Sequence, residues 1–119
     1  MVDEVLWYIP NEAEAGHRGD DAVEGHNSLP RLAALAQGVE DAGWGGALIG
    51  TGWRRPDPFP VGTALAAAPT TFQPLVAIRP GYWQPAHFAA SAATLDHLSG
   101  GRVLVNVVSG QDHQAEYGD

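Results

Sequence analysis

The sequence predicts an α/β protein built on a parallel sheet, and three observations carry that expectation. Short strand-like apolar runs begin near residues 4, 46, 74 and 103, with helical patterns between them. Strands alternating with helices imply βαβ units and parallel pairing. Three of the four runs are nearly all apolar, as expected when helices cover both faces of a sheet. Finally, every long or polar loop follows a strand, whereas the connections from helix back to strand are short. Sites in open α/β sheets and in (β/α)8 barrels lie at those carboxyl ends. Four β/α units are half of a barrel whose usual size is about 250 residues. A complete four-stranded domain is compatible with the composition. The organisation points to parallel β/α units forming the N-terminal half of a TIM barrel, as a single unit over residues 1–119.

The elements follow in order. Residues 4–9, EVLWYI, form an apolar run ended by Pro10. Residues 11–27 are polar, carry Gly16, Gly19 and Gly25, and read as a long loop. Ser28 is a cap and Pro30 a first-turn residue for a helix whose buried face is Leu32, Leu35, Ala36 and Val39. Gly43 should stop it. Residues 46–49, GALI, are the second strand. Residues 51–60, with three prolines and Trp53-Arg54-Arg55, read as a loop before a short Ala-rich helix over 61–68. PLVAI at 74–78 is the third strand, 85–98 the third helix closed by Gly100-Gly101, and 103–108 the fourth strand.

Composition removes several classes of function. Six basic against fourteen acidic residues give a formal charge of −8. No basic stripe is left to neutralise phosphates, so nucleic acid and anionic membrane are not expected partners. There are no cysteines, which excludes disulfides, thiolate metal sites and cysteine nucleophiles. The five histidines, at 17, 26, 87, 97 and 113, never fall at HxH or HxxxH spacing, and no metal is expected. Gly43, Gly45 and Gly46 precede a strand and do not form GxGxxG. The N-terminus has no signal-peptide pattern, and no apolar run nears the roughly 20 residues of a membrane span. A cytoplasmic protein is expected.

WYIP at 7–10, GGALIGTG at 45–52, PLVAIRPG at 74–81 and AATLDHLSGGRVLVNVVSG at 92–110 resemble the N-terminal half of the alkanesulfonate monooxygenase group, within the bacterial-luciferase-like flavin-dependent oxidoreductases. The resemblance runs from about residue 6 to 119, nearly the whole chain. It implies a luciferase-like (β/α)8 barrel and the use of reduced FMN, delivered by a separate NAD(P)H:FMN reductase, with dioxygen. It further implies cleavage of a carbon–sulfur bond in a small organosulfur substrate, giving aldehyde and sulfite. The chain departs from the group at Trp53-Arg54-Arg55, where the alkanesulfonate enzymes carry a cysteine. That departure keeps another luciferase-like oxidoreductase open, including one using a deazaflavin. In the family, much of the phosphate grip and several catalytic basic residues belong to the second half, so the catalytic residues are unknown here.

Asn106 is the first candidate, an amide inside an apolar strand. Alternation sets Leu104, Asn106 and Val108 on one face and Val103, Val105 and Val107 on the other. At the barrel mouth an amide can donate to and accept from a flavin ring edge; the competing reading is a core Asn paired with a neighbour. The resemblance favours flavin, and extends cofactor contact to Ser109 and to backbone groups at Ala77 and Ile78. Ser109-Gly110 is otherwise an ordinary turn. Trp7 is either a flavin wall or a core aromatic. Arg79 could hold an anion by paired hydrogen bonds or simply form a rim salt bridge. Arg54 and Arg55, side by side, are two of only six basic residues and favour local anion binding over general solubility. Trp53 is either a wall of a flavin or apolar substrate pocket or a large core or rim residue. Arg55, Arg79 and Trp53 are the substrate-binding candidates. A bare sheet edge makes a homo-oligomer, or an inactive half-barrel module that pairs with another chain, the remaining alternative.

Overall fold

The computed structural model of the chain describes residues 4–11, 25–53, 55–68, 71–110 and 115. Four strands, β1 (Leu6–Ile9), β2 (Gly46–Ile49), β3 (Gln73–Ile78) and β4 (Leu104–Val107), alternate with three helices, α1 (Leu29–Asp41), α2 (Pro58–Ala67) and α3 (Pro85–Leu98). All pairings are parallel and the sheet order is β1-β2-β3-β4. The expected β/α architecture is therefore present.

Each helix opens with proline in its first turn, where the missing N–H costs nothing. Ser28 caps α1, its Oγ accepting from the Arg31 N–H at 3.4 Å. The helix expected over 61–68 begins three residues earlier. Asp57 accepts from the Phe59 N–H at 3.0 Å, so Pro58 and Pro60 start α2 instead of prolonging the loop.

One side of the sheet is covered by the helices. Ile9, Ala47 and Ile49 pack with Leu32, Ala36, Val39, Leu65 and Phe72. Val76 and Ile78 pack with Phe59, Ala66, Trp83 and Leu95. Val105 and Val107 are in register with Val76 and Ile78 and so belong to the same side. No helix among the described residues lies over them, and they are 38% and 64% exposed.

The amino ends of the strands are tied together by Arg102. Its Nε donates to the Ser99 carbonyl at 2.6 Å, Nη1 to that of Phe72 at 2.7 Å and Nη2 to that of Ala66 at 2.8 Å. One guanidinium thus joins the ends of α2 and α3 to the start of β3. No helix among the described residues is long and apolar enough to cross a membrane.

Gly46 lies opposite Gln73 at the start of the β2–β3 ladder. A Cβ on it would stand 2.7 Å from the Gln73 carbonyl carbon and 2.9 Å from its Cα. Backbone on a paired central strand cannot move aside as a flexible side chain can. Gly46→Ala is expected to cost about 3 kcal/mol, the upper range for overpacking. Chemical denaturation checks this, and an unchanged midpoint would contradict it.

Candidate functional site at the carboxyl ends of the strands

Opposite the helices, the sheet presents residues in rows. Tyr8, Leu48, Leu75 and Leu104 are mutual register partners and form one apolar row across all four strands. One step nearer the carboxyl ends, Ala77 pairs with Asn106. Continuing the β2–β3 register by one residue sets Gly50 beside Ala77. Large side chains give way to a glycine, an alanine and an amide just where the loops begin.

Asn106 therefore lies on the face turned away from the helix layer, as strand alternation requires. It is half-buried. None of the hydrogen bonds among the described residues involves its side chain. Ala77, its neighbour, is buried. Ile78 turns its side chain into the helix-side core, and its carbonyl accepts from the Val108 N–H at 2.9 Å. Ser109 is exposed just beyond β4.

Two arginines reach this end, each seated on glycine. The Arg55 Nη1 donates to Asn11 Oδ1 at 2.7 Å, and the Asn11 Nδ2 donates to the Gly50 carbonyl at 3.0 Å. A Cβ on Gly50 would approach Arg55 Nη1 to 2.8 Å, and one on Gly52 would approach its Nε to 3.0 Å. Arg79 is 3% exposed. A Cβ on Gly110 would come within 2.7 Å of its Cζ, and Gly110 has φ +66°, a region that L side chains avoid. Adjacent strands are about 4.8 Å apart, so Gly50 and Asn106, two strands apart, are separated by roughly 10 Å.

The loop after β3 is anchored by its own aromatics. The Tyr82 and Trp83 N–H groups both donate to the Arg79 carbonyl. Trp83 is buried against Phe59, while Tyr82 stays half-exposed edge-on to Trp83 at 4.6 Å. Trp53, in the loop after β2, is 41% exposed. Arg54 lies outside the described residues, as do His17, His113 and most of the loop after β1.

Trp7, expected as a candidate flavin wall, is not brought to this group. It is in register with Ala47 and Pro74, which puts it on the helix-facing side. There the apolar flank of α1 and Trp44 offer it a surface, and the two indoles meet edge to face at 4.9 Å. A groove of about 660 Å³ between α2 and α3, which includes Asp57, Thr63, Trp83 and His87, is likewise in the helix layer and holds none of the candidate residues. Asn11 was the residue missed from sequence. Its only signal was a polar side chain directly after the strand-ending Pro10.

The donor set suits a flavin. Asn106 supplies a donor and an acceptor on one amide, matching a ring edge that carries both functions. The small residues Gly50 and Ala77 limit crowding beside it, and two guanidiniums supply positive charge for a phosphate or another oxyanion.

Consecutive parallel β/α units in the order β1-β2-β3-β4, with polar and cationic groups at the carboxyl ends, are the architecture of part of a (β/α)8 barrel. The family model described as luciferase-like monooxygenase matches residues 4–119; the chain belongs to that family. Among solved structures it is similar to EDTA monooxygenase (EmoA) from Chelativorans sp. BNC1, with TM-score 0.81 and 15% identity over 97% of this chain and 32% of that one. It is similar to riboflavin lyase (RcaE), solved with modified FMN and riboflavin, with TM-score 0.79 and 25% identity over 98% and 33%. A third is DmoA from Hyphomicrobium sulfonivorans, with TM-score 0.75 and 24% identity over 97% and 30%. The chain thus spans about a third of the length of each of these proteins.

Proposed function

We propose that residues 1–119 form the N-terminal half of a luciferase-like barrel domain in an FMNH2-dependent monooxygenase. The observation that carries this reading is the position of Asn106, half-buried beside Ala77 on the non-helical face, at the end where Arg55 and Arg79 are held. In this reading Asn106, Ser109 and the backbone at Ala77 and Ile78 hold reduced FMN. Arg55, Arg79 and Trp53 receive an alkanesulfonate or a related organosulfur anion. The protein works in the cytoplasm, supplied with flavin by an NAD(P)H:FMN reductase, and forms a homo-oligomer. When bound, the reduced flavin supplies two of the four electrons dioxygen needs; the substrate carbon supplies the others, giving aldehyde, sulfite and water. The chain's own residues orient the two organic partners, fix the sulfonate beside the guanidiniums and keep water from the reacting atoms.

The test is Asn106→Leu, which keeps volume and removes the amide. Reduced-flavin affinity should fall about tenfold, the scale of one buried hydrogen bond. Stability without flavin should hold or rise, since a polar group has left a half-buried strand. If instead the apo fold loses stability and flavin affinity is unchanged, Asn106 is structural.

A second reading is favoured by the uncovered Val105 and Val107 on the edge strand. It takes the chain as a half-barrel module that closes its sheet against another chain. A clean monomer by light scattering opposes this second reading, and it opposes the homo-oligomer of the first as well.

A further inference from the structure

The carboxyl end of the sheet commits three residues from two segments, Asn11 after β1 and Gly50 and Gly52 after β2, to placing one cation. Asn11 directly follows Pro10 at the end of β1 and is fully buried. Its amide faces two partners of opposite kind: the Gly50 carbonyl needs a donor, and the Arg55 guanidinium needs an acceptor. Among side chains of this size, an aspartate would offer no donor to the carbonyl, and a leucine would offer neither. Gly50 and Gly52 then thin the chain after β2 where the guanidinium passes.

From this geometry we infer that Asn11 is a positioning residue that sets the mouth's preference for anionic ligands. It aims Arg55 without adding negative charge beside it. A free arginine loses up to about 2 kcal/mol of rotamer freedom when it is immobilised. The bond to Asn11 and the close passage of Gly50 and Gly52 restrict the side chain before any ligand arrives, so an oxyanion meets a guanidinium already oriented. A carboxylate at position 11 would hold the guanidinium as tightly but cancel much of its field. The ligand class is a sulfonate or a similar oxyanion. This rests on the reading that Arg55 receives an anionic substrate.

The test uses two ligands of equal chain length titrated into the FMN-loaded full chain by calorimetry: hexanesulfonate, and the neutral hexyl methyl sulfone. Asn11→Asp should weaken the sulfonate at least tenfold and leave the sulfone within twofold. Asn11→Ala, which loosens Arg55 but adds no charge, should weaken the sulfonate about threefold, again sparing the sulfone. Should Asn11→Asp fail to fold, the alanine variant carries the test alone. Equal loss of both ligands, or loss of neither, overturns the inference, because a merely structural residue does not discriminate charge. Arg55→Gln isolates the underlying reading: if it leaves sulfonate affinity intact, the anionic-substrate assignment of Arg55 fails, whatever Asn11 does.

Discussion

Replacing Arg102 with alanine should lower the stability of the chain by about 4 kcal/mol, given roughly 1.5–3 kcal/mol for each hydrogen bond to a charged group and partial solvent access. Three carbonyls, of Ala66, Phe72 and Ser99, lose their shared donor at once. They belong to the last turn of α2, the residue before β3 and the turn after α3, so no single local rearrangement can satisfy all three. The thermal midpoint should fall by roughly 15 °C on the usual size scaling. Arg102→Lys should recover only a minority of the loss, because an ammonium cannot span three divergent acceptors. A melting curve within a few degrees of the unsubstituted chain would show that water replaces the guanidinium without cost.

Under the proposed function, Gly50→Leu should cut sulfonate-dependent turnover by about 100-fold, near 3 kcal/mol of transition-state stabilisation. A Cβ at this position would stand 2.8 Å from Arg55 Nη1 and 3.4 Å from Asn11 Oδ1. The guanidinium is the far end of a flexible side chain and can swing away, so the fold should lose only about 1–2 kcal/mol. What is lost is the pairing of Arg55 with Asn11 and room beside Ala77. A steady-state assay paired with denaturation checks both halves. Retained turnover would mean that the Arg55 seat plays no part in the reaction.

Much of the architecture was legible because it is written in local periodicity. The third helix, residues 85–98, and the parallel order need only apolar spacing and punctuation by proline and glycine. Which residues share a face with Asn106 followed from counting by two along a strand; that this face turns from the helices is set by the β3–β4 register. The start of α2 was not legible in the same way: prolines signal both loops and helix N-termini, and the Asp57 cap decides between them. Trp7 illustrates another limit. Where both faces of a strand are apolar, period two cannot say which face meets the helices, and the β1–β2 register settles it. Asn11 finds its partners 39 and 44 residues away, and Gly110 sits against Arg79 across two strands. Such pairings, the second of them between the ends of the adjacent strands β3 and β4, leave no trace in local spacing.

The Arg102 clasp also bears on how such a molecule can change. Its hydrogen bonds to Ala66, Phe72 and Ser99 lie at the amino ends of the strands, so they make few demands on the loop between the end of β2 and the Asp57 cap. After β3 the latitude is narrower and ends before Trp83, which belongs to the core. A chassis organised in this way lets one segment be exchanged for another of different chemistry with the rest undisturbed. New substrate preferences can then arise by local replacement, at one rim, of parts that the opposite rim does not sense.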